Sequence, residues 1–246
     1  MKVFKFGGAS VKDARGVRNI ASLILAEESD LLVVISAIGK TTNALEVVAE
    51  THHRMMEDLA LDDYDKIYDA FVSQGELNST RIISEYLNRN GVHNTWLDAR
   101  RIMITDNTHR AANVRFEETQ KRLKDAIETR PSRVYIIQGY IGATEEGEVT
   151  TLGREGSDYS AAVFGAAVLA DSVTLWKDVP GVLTADPRKD ETATLIPEMT
   201  YEEAIRLTES GAQIIHPKTI KPLAERHIPL YVKSFDNPKA DGTVIR

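Results

Sequence analysis

Cysteine is absent from the 246 residues. That excludes disulfides and thiolate zinc sites, and it suits a reducing compartment. No apolar run approaches the ~20 residues that a membrane span needs, and the opening MKVFKFGGAS lacks the apolar core of a signal peptide. A cytoplasmic protein with no membrane partner is therefore expected. Basic residues are the scarcer charge, 30 Lys and Arg against 37 Asp and Glu, for a formal net charge of -7. This argues against a nucleic-acid partner, because phosphate backbones need clustered cations. An anionic small molecule remains compatible, since one local basic cluster can outweigh the total.

Familiar signatures are missing as well. There is no GxxxxGK[ST] loop, no GxGxxG dinucleotide pattern, and no HRD or DFG motif. No nucleophile–base pair stands out among scattered histidines. His52 and His53 are neighbours on a predicted helix, where adjacent side chains point apart, so they do not form a metal pair. His216, before Pro217, reads as a helix-start or packing residue.

What is present is a globular balance of 42% hydrophobic and 27% charged residues and an alternation of strands with helices. Lys2 to Phe6 alternates polar and apolar, and Gly7-Gly8 breaks it. A helix follows from about Val11 to Glu27. Leu31 to Ile35 is an unbroken apolar run, the mark of a strand buried on both faces of a parallel sheet. Thr42 or Asn43 is the expected cap of the next helix, which runs to about Leu59. Residues 62–90 read as helical, with Gly75 and Gly91 as punctuation, and Val114 to Thr129 is amphipathic. Then come a buried-type strand, Val134 to Ile137, and a Gly-rich loop, Gly139 to Gly156. A small-residue helix, Ser157 to Ala170, leads into the strand Val173 to Trp176. Helices near 200–209 and 217–226 precede a last strand, Leu230 to Lys233. This order predicts an α/β fold, a three-layer αβα sandwich with a mainly parallel central sheet. The chain reads as one domain, 1–246, with lobes of about 1–138 and 139–246 joined near the Gly-rich loop.

Three strand–loop–helix junctions carry candidate chemistry. In Lys5-Phe6-Gly7-Gly8-Ala9-Ser10, glycine amides after a strand can cradle phosphate oxygens, and Lys5 can neutralise a transferring phosphoryl group. A tight turn with a surface lysine is the plainer alternative. In Thr151-Leu152-Gly153-Arg154-Glu155-Gly156-Ser157-Asp158, a helix N-terminus suits an anion and Arg154 can grip a carboxylate bidentately. Asp158 either favours the helix dipole, orients the lysine or holds magnesium. The third junction, Trp176 to Arg188, places Asp178, Pro180-Gly181 and Asp186-Pro187-Arg188 at a strand end, where ligands of open α/β sheets lie.

Together these segments resemble the aspartate kinases of the amino acid kinase family, along nearly the whole chain. KFGGAS resembles that family's KFGGTS, TTLGREGSDYSAA its TLGRGGSD signature, and WKDVPGVLTADPR its TDVPGIYTTDPR. GAQIIHPKTIKPLAERHIPLYVKSFDNP resembles its GAKVLHP helix and the strand leading to its NP turn. The resemblance implies ATP with Mg²⁺, no side chain being assigned to the metal, and L-aspartate as phosphoryl acceptor, giving an acyl phosphate. It implies Lys5 as the phosphate-side lysine and Asp158 as organiser of the catalytic charges. Ser36, Thr42 and Arg154 are implied to hold aspartate, Arg154 by its α-carboxylate, with Glu76 near its amino group. Gly7, Gly8, Lys177, Asp178, Leu183, Arg188 and Gln213 fall on the nucleotide side.

Departures cluster on that side. Gln213 stands where the family has lysine, Leu183 where it has an aromatic, and Lys177 where it has threonine. Glu155 replaces a glycine beside Arg154. The expectation is a retained kinase with an altered nucleotide pocket. A family member acting on glutamate, acetylglutamate, carbamate or UMP, or a non-catalytic ligand-binding paralogue, are the alternatives. The chain stops at Arg246, just after the catalytic part. It is expected to carry no C-terminal regulatory domain and to escape feedback by lysine or threonine. A homodimer is compatible with this reading.

Overall fold

The computed structural model describes residues 1–185, 190, 192–209 and 215–246. Its elements run β1 (Lys2–Phe6), α1 (Ala14–Ala26), β2 (Leu31–Ile35), α2 (Thr41–Asp58), α3 (Tyr64–Val72), α4 (Gln74–Arg89) and β3 (Thr95–Trp96). After a 3₁₀ turn at Ala99–Arg101 come α5 (Phe116–Thr129), β4 (Val134–Gln138), β5 (Ile141–Ala143), β6 (Val149–Thr151), α6 (Gly156–Val168) and β7 (Val173–Lys177). The chain finishes with β8 (Glu198–Met199), α7 (Tyr201–Glu209), α8 (Pro217–Ala224), β9 (Leu230–Ser234) and β10 (Thr243–Ile245).

Eight strands form one sheet in the order β3-β4-β2-β1-β7-β9-β10-β8. Every neighbouring pair is parallel except β9 with β10. The apolar runs explain the layers. Successive strand residues face opposite sides, and here both sides are dry. Val3, Leu32, Val34 and Leu175 pack on one face with Phe164 of α6 and Leu223 of α8. Phe4, Phe6, Leu31, Val33 and Ile35 pack on the other with Ile20 and Ile24 of α1 and Ile83 and Leu87 of α4. This is the expected α/β sandwich with its mainly parallel sheet. No helix among the described residues is long and apolar enough to cross a membrane.

The structure differs from the sequence reading at four places. Neither Thr42 nor Asn43 caps α2. The helix starts at Thr41, whose hydroxyl donates to the Ile38 carbonyl at 2.6 Å, and this leaves Thr42 to point its own hydroxyl at Glu76. Gly75 does not break the helical stretch, which parts at Ser73. Gly75 lies in the first turn of α4, where a Cβ would come within 2.9 Å of Ala37 Cβ, so it serves close packing. The Gly-rich loop holds a β-hairpin, β5–β6. Leu230–Ser234 is not the last strand, because β10 folds back antiparallel to it.

Candidate active site

The parallel register brings one end of four strands together. Phe6 lies beside Ile35 and Trp176, and Ile35 beside Gln138. The segments that leave the sheet here, at 7–8, 36–39, 139 and beyond 177, therefore meet at its carboxyl edge, where ligands of such sheets sit. A Cβ on Gly8 would lie 2.5 Å from the Gly39 carbonyl oxygen, so only glycine lets the first two loops pack. Above this edge is a cavity of about 530 Å³ lined by Lys5, Gly7, Gly8, Ser36, Thr42, Glu76, Arg154 and Asp158. These are the catalytic and acceptor-side residues named from sequence, together with the two glycines.

Asp158 sits in the first turn of α6 with its carboxylate fully buried. Lys5 Nζ is 2.6 Å from one oxygen and Lys177 Nζ 2.9 Å from the other. Burial alone would raise its pKa, but the two ammonium groups outweigh it and hold the carboxyl at about 2. Burial likewise works against the charge on Lys177, and Asp158 reverses that and raises its pKa. Asp158 thus fixes two lysines at once, Lys5 in the cavity lining and Lys177 outside it.

Glu76 is the second buried carboxylate, 2% exposed, in the first turn of α4. Its Oε1 accepts from the Ala37 N–H at 3.3 Å and the Thr42 hydroxyl at 3.4 Å. Among the described residues its Oε2 is buried without a hydrogen-bond partner. Burial pushes its pKa up to about 7, against the pull of these donors and of Lys5. Nearby, Ser36 is anchored through its backbone: its N–H donates to Phe6 O at 3.1 Å and its carbonyl accepts from the Ser79 hydroxyl at 2.8 Å. Arg154 is exposed at the cavity rim and makes no ion pair among the described residues. Glu155, beside it, has φ 56° and caps α6 in the left-handed region.

Of the remaining nucleotide-side residues, Lys177, Asp178 and Leu183 do not line this cavity. Lys177 reaches it only through Asp158. Asp178 is exposed on the loop after β7, and Leu183 forms an isolated antiparallel bridge with Leu195. Arg188 and Gln213 lie outside the described residues. His216 caps α8, its Nδ1 accepting from the Lys218 N–H at 3.1 Å. His52 and His53 pack separately, against Phe71 and Tyr64. Among the described residues no three metal-ligating side chains come together.

The sequence reading missed other cavity residues: Glu46, Tyr68, Arg110 and Tyr140. It also missed Asp69, a fully buried carboxylate that ties α3 to β6 through Thr151 and to the 109–110 loop. Tyr140 had one available signal, its place directly after the strand-ending Gly139. Arg110 had none.

The amino acid kinase family model matches residues 1–234. Aspartokinase 1, chloroplastic, of Arabidopsis thaliana is 35% identical over 293 residues, covering 99% of this chain and 51% of that protein. Lysine-sensitive aspartokinase 3 of Escherichia coli is 32% identical over 284 residues, covering 99% of this chain and 63% of that protein. The crystal structure of E. coli aspartokinase III in complex with aspartate and ADP superposes with a TM-score of 0.89 at 31% identity, covering all of this chain and 64% of that one. The chain thus spans about half to two thirds of the length of these relatives. On the match over residues 1–234, and on the fold and site that go with it, the chain belongs to the amino acid kinase family.

Proposed function

We propose that this chain is an aspartate kinase catalytic domain, transferring the γ-phosphoryl group of ATP to the side-chain carboxylate of L-aspartate. The observation that carries the reading is Glu76: a buried carboxylate with one oxygen unpartnered among the described residues, lining the same cavity as Arg154, Lys5 and Asp158. A free amino acid has the matching groups. Its ammonium satisfies Glu76 and its α-carboxylate takes Arg154. Its side-chain carboxylate is then directed toward Lys5 and the glycine amides. The names and aspartate complex of the relatives support the same substrate.

The chemistry asks little of a base. Aspartate's side chain is ionised at neutral pH. One of its oxygens attacks the γ-phosphorus, the bond to the bridging oxygen breaks, and ADP leaves with the electron pair. No proton needs to move. What the protein must supply is position and positive charge. Lys5, held by Asp158, meets the charge that develops on the transferring group. The described residues do not fit a magnesium site of their own, because both Asp158 oxygens are taken by lysines and no other ligand cluster exists. Magnesium is therefore assigned to the substrate, MgATP, and its Lewis-acid charge comes with the phosphates.

The lobe division at about 138/139 belongs to this reading. It is supported by the sheet order, in which β3, β4, β2 and β1 form one half and β7, β9, β10 and β8 the other. Cytoplasmic location, a homodimer and a place at the start of lysine, threonine and methionine synthesis are parts of the same proposal. The test is hydroxylamine trapping with MgATP across L-aspartate, L-glutamate, acetylglutamate and carbamate, with ADP release followed for UMP, whose product is not an acyl phosphate. Aspartyl hydroxamate is expected from L-aspartate alone. ATP or aspartate binding without any hydroxamate would favour a ligand-binding paralogue.

A further inference from the structure

Arg110 lines the cavity yet has no part in the reading above. It stands on the loop between the 3₁₀ turn and α5 with φ 66°, the left-handed region that strains a non-glycine residue. That conformation is held from behind. Asp69, fully buried, accepts the Arg110 N–H at 2.9 Å and also hydrogen-bonds His109 Nδ1 at 3.0 Å and the Thr151 hydroxyl at 2.7 Å. The side chain is held too. Its guanidinium carbon lies 4.4 Å from the centre of the Tyr68 ring and 6.0 Å from that of Tyr64.

Among the described residues a single polar partner uses this cation. Nη1 is 3.2 Å from Asp65 Oδ1, and the other side-chain N–H groups make no hydrogen bond among the described residues. Asp65 is 58% exposed, so the pair is weak in water. Furthermore, a Cβ on Gly153 would come within 3.0 Å of the Arg110 carbonyl oxygen. The backbone carrying Arg110 therefore lies against the residue that precedes Arg154, and both arginines border one side of the cavity.

We propose that Arg110 is a specificity-determining residue that shares the acceptor's α-carboxylate with Arg154. The proposal rests on the amino-acid acceptor assigned above. A carboxylate has about four lone-pair sites, and one guanidinium fork uses two. Arg154 is a long exposed side chain with no ion-pair partner among the described residues, so it loses rotamer freedom on binding. Arg110 is already oriented by Tyr68 and loses less. The strained backbone is then the cost of aiming that second fork.

The test crosses two variants with two acceptors, L-aspartate and its α-carboxamide, using hydroxamate kinetics and calorimetric binding in the presence of MgADP. Arg110→Gly suits φ 66° and keeps the N–H to Asp69, so it is expected to melt no lower than the parent. Arg110→Gln keeps the bulk without the charge. In both variants the KM and Kd for L-aspartate are expected to rise about tenfold, with the effect on KM rather than kcat. Those for the α-carboxamide should change by less than twofold, so the preference for the free carboxylate shrinks about tenfold. Equal losses for both acceptors, or no loss for either, would overturn the assignment while leaving the kinase reading intact. If the parent neither binds nor phosphorylates L-aspartate, the acceptor reading fails and the Arg110 assignment fails with it.

Discussion

Two buried carboxylates share one cavity and are driven in opposite directions. Asp158, at the start of α6, has an ammonium group on each oxygen and titrates at about 2. Glu76, at the start of α4, has weak donors on one oxygen, nothing on the other, and titrates at about 7. Burial raises both, and the two ammonium groups on Asp158 reverse it there while the donors on Glu76 do not. Asp158 is neutralised by the protein itself and builds a fixed cationic floor. Glu76 is left for a cation that the protein does not supply, and the ammonium of an amino acid is such a cation. Separation of pKa values within one site is how roles become assigned, and here it separates phosphoryl stabilisation from acceptor recognition.

The sharpest way to break this contrast is to remove the floor. Lys5→Ala is expected to lower turnover about 1,000-fold, as the loss of a positioned cation at a developing charge does. Asp158→Asn leaves two ammonium groups facing each other in a buried site. It should lower turnover by more than 100-fold and stability by about 3–5 kcal/mol, measured by hydroxamate formation and denaturant unfolding. Because the folded pKa of Asp158 is depressed from 3.8 to about 2, its contribution to stability is present above about pH 4. It is lost as pH falls toward 2.

The acceptor side should respond in affinity instead. Glu76→Gln is expected to raise the aspartate KM about 30-fold or more, since an ammonium would then be buried without its counter-charge. The same change should stabilise the free protein. A carboxyl raised from 4.5 to about 7 weakens the fold progressively as pH climbs through that window, by roughly 3 kcal/mol at its upper end. The gain from Glu76→Gln is therefore expected at pH 8 and should vanish near pH 4.5. Thermal melts at the two values check it. In the parent, aspartate binding should release about half a proton near pH 7, and KM should climb as pH drops below 7. Calorimetry in buffers of different ionisation enthalpy measures the release.

The smallest expected effect concerns Glu155, which takes φ 56° next to Arg154. Glu155→Gly should add about 1 kcal/mol of stability by relieving the left-handed backbone. It should also lower the aspartate KM modestly by removing a negative charge from the rim. Urea titration and steady-state kinetics would show both.

How much of this could be read from residues alone follows the range of the interactions. The four central strands, β1, β2, β4 and β7, were legible because buried parallel strands write unbroken apolar runs. The glycine junctions behind them marked the ligand edge. Lys5, Arg154 and Asp158 stand out at those junctions, Glu76 only through motif resemblance, and the fold gathers all four into one cavity. The β5–β6 hairpin was not legible, since its strands are three residues each and read as loop. Arg110 and Asp69 were invisible for a different reason. Asp69 meets Arg110 across 41 residues and Thr151 across 82, and no local pattern encodes such a meeting. Arg188 and Gln213 lie outside the described residues, so these two of the nucleotide-side residues stand without a geometric counterpart.

One measurement bears directly on the division of labour between the two carboxylates. The protein is incubated with MgATP and hydroxylamine, and L-aspartate is compared with succinate, which carries the same two carboxylates but no ammonium. The account predicts aspartyl hydroxamate at a rate that Lys5→Ala abolishes, and a loss of at least about 30-fold with succinate that Glu76→Gln narrows. Equal trapping of the two acids, or trapping that survives Lys5→Ala, would contradict it.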